Sequence, residues 1–313
     1  MTSKEYKKST FKSAAIKILN TMPIVLARSL VRLLFYFRLT RIAGFIAKHY
    51  RINDLDILPA YRSEARFVND GSQISQLLYF LGTSGYEDYE LDIWMHLCKN
   101  AKSICEIGGN IGYFTIFGAN AAPLANYSVY EPNPISIRSL NSNVLLNSLK
   151  NVTVIEAAVV GDSLIKTITL HIPVQETGKQ ATGAYIDNSE GIDRPSIESF
   201  SVPTTYGGDI TGFDLLKLDV EGSEHHILSA MENTLNITKP IIMIEVRRRT
   251  PKLREWITRF AKINGYQIWA MSHPVLSLVP IEKIMNVILQ ETYGTRDLLL
   301  IPPGHEEILR KLS

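Results

Sequence analysis

Residues 104–112 read Ile104-Cys105-Glu106-Ile107-Gly108-Gly109-Asn110-Ile111-Gly112, an apolar run followed by a glycine-rich turn and the start of a helical pattern. Glycine adopts a positive φ at little steric cost and lets a backbone approach a ligand closely. Asn110 fits the same turn because asparagine tolerates the left-handed conformation. The helix that follows begins with unpaired N–H groups. This stretch therefore predicts a strand, a ligand-binding turn and a helix, which is a common start for nucleotide-binding folds.

The pattern continues on the C-terminal side, where short apolar runs alternate with helical stretches as in βαβ units. The sequence predicts an α/β fold, a Rossmann-like seven-stranded sheet with helices on both faces. Residues 166–206 interrupt the rhythm: the alternation over 167–172 predicts an antiparallel hairpin, and the Gly, Thr and Pro residues after it predict a loop over the binding edge. The predicted strands are 103–107, 127–130, 152–155, 213–218, 241–246, 266–270 and 297–301, and the helices between them are 111–121, 135–149, 224–235 and 252–263.

Two acids mark the first two strand ends. Glu131 ends the second strand, nineteen residues beyond Gly112. An acid at that point accepts hydrogen bonds from both hydroxyls of a ribose. Glu106, before the glycines, would crowd a pyrophosphate but suits a cationic amine of the methionine type. Dinucleotide oxidoreductases use the same ribose-binding acid, so it is Glu106 that favours S-adenosylmethionine over a nicotinamide dinucleotide.

A third acidic group follows the fourth predicted strand, where residues 213–224 read FDLLKLDVEGSE. That strand delivers Asp219 and Glu221 to the carboxyl edge of the sheet, beside the helix that carries His225, and Glu245 ends the next strand. Ligands of open α/β sheets bind outside this edge. These four residues are candidates for a general base or for orienting the acceptor. The alternative is a structural role, either capping the helix or pairing with Lys217, whose burial requires an acidic partner.

Two other patterns near this edge, a histidine pair and an arginine run, indicate a function less specifically than the acids do. Adjacent histidines at 225 and 226 point in different directions on a helix, so no metal site is predicted. Arg247-Arg248-Arg249 follow the fifth strand. They either bind an anionic substrate group or form a solvated loop.

Four strings resemble the FkbM-type methyltransferases: 106–113, 131–134 (Glu-Pro-Asn-Pro), 216–224 and 240–245. The resemblance covers about residues 104–301 and implies methyl transfer from S-adenosylmethionine to an oxygen, commonly a hydroxyl of a sugar or polyketide. Glu106 and Gly109 depart conservatively from the Asp and Ala usual in the family, and residues 202–209 match only loosely. The residues assigned to the cofactor are Glu106, Gly108, Gly109, Asn110, Gly112, Tyr113, Glu131, Pro132, Asn133, Ala158 and Asp219; those assigned to catalysis are Asp219, Glu221, His225 and Glu245.

The N-terminal segment has a different composition. Residues 1–51 hold eleven basic residues and one acid, a net charge of +10, while the rest of the chain carries −8. Two interpretations are open for the helices predicted over 11–50: peripheral contact with anionic lipid, or a helical cap whose arginines face solvent. Four arginines within 22–47 argue against a membrane span. The predicted domains are a basic, amphipathic helical region at 1–70 and the methyltransferase domain at 71–313.

Composition also bears on localisation and partners. Two cysteines are too few for a disulfide framework, and no secretory signal is evident, so the sequence predicts a cytoplasmic protein. Contact with the inner face of the membrane is one of the two interpretations left open for the N-terminal helices. The preferred function is O-methylation of a hydroxylated small-molecule, glycan or glycolipid acceptor. One alternative is a nucleic-acid methyltransferase, which the aliphatic character of the basic arm and the missing Asn/Asp-Pro-Pro-Tyr motif disfavour. The other is a non-catalytic, cofactor-binding adaptor tethered by its N-terminus.

Overall fold

A computed structural model describes residues 16–53, 55–173, 185–186, 197–220 and 222–310. The chain forms two compact units, of which the first ends at Asp88 and the second begins at Tyr89. The sequence placed a domain boundary after residue 70, but a helix at Gln73–Leu81 contributes to the core of the first unit. No described helix has the length and hydropathy that a membrane crossing requires.

In its described part, the first unit contains three longer helices, a short helical segment at residues 16–19 and a two-stranded antiparallel sheet. Small buried residues at Ala27, Ala43 and Ala47 let the first two helices approach each other closely, and their apolar faces bury Leu77 and Phe80 of the third. The helices predicted within residues 11–50 are therefore present. The elements are α1 (Ile24–Tyr36), α2 (Thr40–His49), β1 (Ile57–Pro59), β2 (Arg66–Val68) and α3 (Gln73–Leu81).

Helix α1 turns its arginines towards protein and part of its apolar surface towards solvent. The Arg28 guanidinium donates to the Tyr79 hydroxyl at 3.3 Å. The Arg32 guanidinium lies 3.7 Å from the centre of the Tyr61 ring. By contrast, Leu26 and Leu33 are 59% and 54% exposed. The helices do pack on a core, as a cap would, but these two arginines do not face solvent as that interpretation requires.

The second unit contains an eight-stranded sheet in the order β13-β12-β14-β11-β10-β3-β4-β5. All seven predicted strands are present, and a two-residue strand, β13, is added at one edge. The strands are β3 (Ser103–Ile107), β4 (Asn126–Tyr130), β5 (Val152–Ile155), β10 (Leu215–Leu218), β11 (Ile241–Glu245), β12 (Gln267–Ala270), β13 (Ser277–Leu278) and β14 (Asp297–Ile301).

The helices of this unit agree with the predicted ones to within a few residues. Helices α7 and α8 cover β10 and β11 with a core that includes Leu228, Trp256 and Phe260. The elements are α4 (Asp88–Cys98), α5 (Tyr113–Ala121), α6 (Pro134–Leu146), α7 (Glu224–Thr238), α8 (Pro251–Asn264), α9 (Leu289–Thr292) and α10 (Glu307–Arg310). The Rossmann-like α/β fold predicted from the sequence is confirmed.

The order in which strands are added to the sheet reverses at β3 and β10. Strands β4 and β5 follow β3 on one side, and β10 and β11 extend the sheet on the other. Both neighbours of β3 are parallel to it, so the three strands open their carboxyl ends at one edge. Such a switch point leaves a crevice in which open α/β sheets bind ligands.

The predicted hairpin is part of a second sheet, in the order β6-β9-β7-β8. Strand β7 runs antiparallel to both β8 and β9, which confirms the antiparallel arrangement. The strands are β6 (Ala158–Val160), β7 (Thr167–Pro173), β8 (Tyr185–Ile186) and β9 (Ile197–Tyr206). The loop residues expected to cover the binding edge, Gly178, Thr182, Gly183 and Pro195, lie outside the described residues.

Candidate active site

The glycine turn after β3 has the predicted backbone geometry. Gly108, Asn110 and Gly112 have φ angles of 97°, 48° and 90°. The amides of Gly108 and Gly109 both donate to the Tyr130 carbonyl, at 2.9 and 3.1 Å. The turn is thereby held against the end of β4, and Gly112 leads directly into α5.

Glu131, at the end of β4, closes this turn from the other side. It is 7% exposed. Its Oε2 accepts from the Asn110 amide at 2.7 Å, and its Oε1 accepts from the Asn133 amide at 2.8 Å. Burial raises the pKa of Glu131 to about 7, although these two hydrogen bonds oppose the shift. Each carboxylate oxygen has a second lone pair, so both can still accept from the hydroxyls of a ribose.

Glu106 lies below the turn, within the sheet. It is 1% exposed, and its Oε2 accepts from the hydroxyls of Tyr127 at 2.6 Å and Thr115 at 2.7 Å. Burial raises the pKa of Glu106, while the neighbouring Lys217 opposes that shift. The sequence did not single out Thr115 or Tyr127. A contact between Glu106 and the cofactor amine stays a prediction.

Lys217 has the acidic neighbours that its burial requires. It pairs in register with Glu106 across the parallel strands β10 and β3, so the two side chains share one face of the sheet. Its side chain is 5% exposed, and its Nζ lies 3.5 Å from the Asp219 Oδ2. The same atom is 4.3 Å from the centre of the Phe114 ring. The predicted pairing of Lys217 with an acid is confirmed.

The carboxylates around the turn form an acidic cluster, which we define as Glu106, Glu131 and Asp219. The negative charges of Glu106 and Asp219 both raise the pKa of Glu131 further. Within this cluster Lys217 supplies one positive charge against three carboxylates. The excess of negative charge fits a ligand with a sulfonium and an ammonium group, and would repel a pyrophosphate. The donor set therefore fits S-adenosylmethionine.

Between β10 and α7, backbone amides are held by Glu224, which the sequence did not single out. Glu224 is 2% exposed, and its Oε1 accepts from the amides of Gly222 at 3.0 Å and Val220 at 3.4 Å. An acid in the first turn of a helix was the available signal. Glu221, proposed as a catalytic residue, lies outside the described residues.

His225 and Glu245 differ in their surroundings. The buried Nδ1 of His225 has no hydrogen-bond partner in the described part of the chain. Burial first, and then the neighbouring His226, lower the pKa of His225. The Glu245 carboxylate lies between two guanidinium groups, 2.9 Å from Arg247 and 3.1 Å from Arg296. A neutral imidazole can accept a proton, whereas Glu245 is placed to hold arginines.

The remaining predicted cofactor residues divide into two groups. The Asn133 side chain accepts from the Ile135 amide at 2.9 Å and caps α6, directly beside Glu131. Pro132 lies in the loop after β4, and Tyr113 is the first residue of α5, directly after the glycine turn. Ala158, in contrast, is 3% exposed and packs in the core of the second sheet. Its assignment to the cofactor stays a prediction.

The sequence family model of the methyltransferase FkbM domain matches residues 106–268, which is more than half of the 313-residue chain. The chain belongs to the FkbM methyltransferase family. The matched region begins at Glu106 and includes the glycine turn, Glu131 and Asp219. This FkbM methyltransferase uses S-adenosylmethionine as its cofactor, as the charge of the site and the sequence both indicate.

Several solved structures are similar to this chain. The FkbM methyltransferase of Methylobacillus flagellatus KT is 14% identical over 72% of this chain and 54% of its own, with a TM-score of 0.41. The precorrin-6y C5,15-methyltransferase of Geobacter metallireducens GS-15 is 17% identical over 58% and 72%, with a TM-score of 0.36. The O-methyltransferase TomG of Streptomyces achromogenes, in complex with SAM, is 14% identical over 69% and 79%, with a TM-score of 0.36. Similarity at this level carries no information about the acceptor. No functionally curated protein matches the sequence.

Proposed function

We propose that this FkbM methyltransferase is an O-methyltransferase that acts on a hydroxyl of a glycan, a glycolipid or a related metabolite. The observation that supports it is the position of Asp219. This residue follows β10, beside the glycine turn on one side and β11 on the other, and its side chain is 37% exposed. An acid at this point can contact both the cofactor and an acceptor.

A hydroxyl needs help to act as a nucleophile, because its proton must leave as the new bond forms. The bound cofactor supplies a methyl group on a positively charged sulfur. Asp219 is the preferred acceptor of the hydroxyl proton, since Lys217 holds its Oδ2 from below and leaves the side chain open above. His225 is the second choice, because burial lowers the pKa of its imidazole and so favours the neutral form that accepts a proton. Alignment of the reacting groups supplies much of the remaining rate.

Labelled cofactor tests the function directly. The purified protein should transfer a labelled methyl group into the lipid, polysaccharide or small-molecule fraction of a cell extract, and the product should be a methyl ether that survives alkaline hydrolysis. Label in nucleic acid would favour a nucleic-acid methyltransferase instead. Tight cofactor binding with no transfer to any fraction would favour a non-catalytic adaptor.

Once an acceptor is known, substitutions distinguish between Asp219 and His225 as the general base. Asp219→Asn should lower kcat by about a hundredfold or more, the usual contribution of a general base. His225→Gln should have a smaller effect, and His226→Gln, its exposed neighbour, provides the matched control. A larger loss in His225→Gln than in Asp219→Asn would exchange their roles.

The proposal also includes a membrane contact through the first unit, at the cytoplasmic face. Leu33, Tyr36 and Phe37 are 54%, 79% and 63% exposed and lie together at the end of α1. They belong to the segment of residues 1–51, whose net charge is +10. Exposed apolar side chains within a basic segment suit a surface of anionic lipid. Such a contact would bring the enzyme to a lipid-linked acceptor.

Vesicle sedimentation tests this contact. The full-length protein should bind vesicles that contain phosphatidylglycerol more tightly than vesicles of phosphatidylcholine alone, and added salt should weaken the binding. Leu33→Glu should weaken it by about tenfold, since burial of one leucine contributes about 1.5–3 kcal/mol. Leu145→Glu is the control, because Leu145 is 80% exposed on α6 of the second unit. Equal loss in both variants, or no preference for anionic vesicles, would contradict the proposal.

A further inference from the structure

A cavity lies at the carboxyl edge of the main sheet, beside β11 and β14. Its volume is about 260 Å³, and Val246, Arg248 and Arg296 are among its lining residues. Val246 directly follows β11, and its amide donates to the carbonyl of Arg296, just before β14, at 2.8 Å. Strand β10 ends at Leu218, just before Asp219. In the sheet, β11 lies on one side of β10, and β3, followed by β4 with Glu131 at its end, lies on the other side. The cavity is therefore on the acceptor side of the site.

The charge of this cavity is opposite to that of the acidic cluster. Three arginines line it, at 248, 254 and 296, against one acid, Glu291. The ion pair between Arg248 and Glu291 is long, at 3.8 Å, and both side chains are more than half exposed, so it neutralises little charge. Arg296 shares the Glu245 carboxylate with Arg247. Positive charge is thus in excess around the cavity.

Arg254 supplies the strongest part of this charge. It is 4% exposed, and its guanidinium donates to the carbonyls of Ile284 at 2.6 Å, Val287 at 3.0 Å and Arg247 at 3.5 Å. No carboxylate pairs with it in the described part of the chain. Burial accordingly lowers the pKa of Arg254. A buried cation that neutral carbonyls alone satisfy retains its attraction for an anion.

We propose that this cavity binds an anionic group of the methyl acceptor, either a phosphate or a carboxylate. The assignment to the acceptor rests on the proposed function, whereas anion binding itself follows from the cavity. Arginine matches the geometry of both groups with paired N–H donors. The volume suits such a group together with part of a sugar ring, and is too small for a large ligand. Opposite charges at the two ends of the edge would orient the cofactor and the acceptor.

Calorimetry on the full-length protein tests anion binding without any methyl transfer. Inorganic phosphate and acetate are the two probes, titrated separately at low ionic strength. Saturable binding of either supports the inference, and the tighter probe identifies the anionic group. The inference is overturned if neither probe binds.

Three variants locate the binding. Arg248→Gln, at an exposed residue, should weaken binding of the tighter probe by about fivefold or more, since a charge-assisted hydrogen bond is lost. Arg254→Met should abolish binding if the variant folds. Arg249→Gln is the matched control, because Arg249 is exposed and does not line the cavity. Equal affinity in Arg248→Gln and Arg249→Gln would overturn the assignment.

The result can be separated from that of the proposed function. Methyl transfer to a hydroxyl by a protein that binds neither anion would overturn this inference alone. Anion binding without transfer to any hydroxyl would contradict the proposed function and leave the anion site in place.

Discussion

Gly108→Ala is expected to lower the free energy of unfolding by about 3–5 kcal/mol and to abolish measurable binding of S-adenosylmethionine. Gly108 has a φ of 97°, a conformation that is strained for alanine. A Cβ at this position would also overlap the backbone carbonyl of Asp219. Strands β3 and β10 would have to separate at the point where the turn and the acidic cluster meet. Urea denaturation and calorimetry measure the two effects.

Gly212→Ala separates strain from the steric clash. Gly212 has a φ of 77°, but a Cβ there would meet nothing within 4 Å. Its substitution should therefore cost only the backbone strain of about 1–2 kcal/mol and leave cofactor binding intact. If the two alanine variants were equally stable, close approach of the turn to Asp219 would not be the reason for a glycine at 108.

Glu131→Gln is expected to weaken S-adenosylmethionine binding by about tenfold to a hundredfold, the cost of losing hydrogen bonds to a charged acceptor. It should also remove a pH dependence. The pKa of Glu131 is raised to about 7. A cationic ligand prefers the ionised carboxylate, so the wild-type affinity should rise by about eightfold between pH 6 and pH 7.5, in proportion to the ionised fraction. Calorimetry across this range gives both results.

The same ionisation acts on stability with the opposite sign. A carboxyl with a raised pKa contributes stability that is fully present below its unfolded value of 4.5 and is lost as the pH rises through about 7. Without cofactor, the wild-type protein should therefore lose stability over this window, and Glu131→Gln should lose less. Glu156→Gln is the matched control, since Glu156 follows β5 as Glu131 follows β4 but is exposed. A pH dependence that persists in Glu131→Gln would contradict the assignment.

Local rules were sufficient for most of the fold. A glycine turn, a strand with buried residues on both faces and a helix start depend on a few neighbouring residues, so the seven strands and the turn geometry were predictable. The acids at the ends of parallel strands were also predictable, because such ends meet at one edge. The hairpin after β6 could be recognised by its alternation, although its pairing with β9 could not.

Contacts across the sheet were beyond the sequence. The partners of Glu106 come from α5 and β4, and its alignment with Lys217 depends on the register between β3 and β10. One shorter-range feature was also missed: Glu224 accepts hydrogen bonds from the backbone amides two and four residues before it.

The sequence by itself determined the sheet, the glycine turn and the acids that mark a cofactor site, because each follows from the conformational preferences of adjacent residues. Only the tertiary structure decided how those acids are paired. It also decided that Arg248, from the arginine run after β11, joins Arg254 and Arg296 around one cavity. The reason is physical: register and helix packing bring together residues from separate segments, and the burial that changes their charge balance exists only after folding.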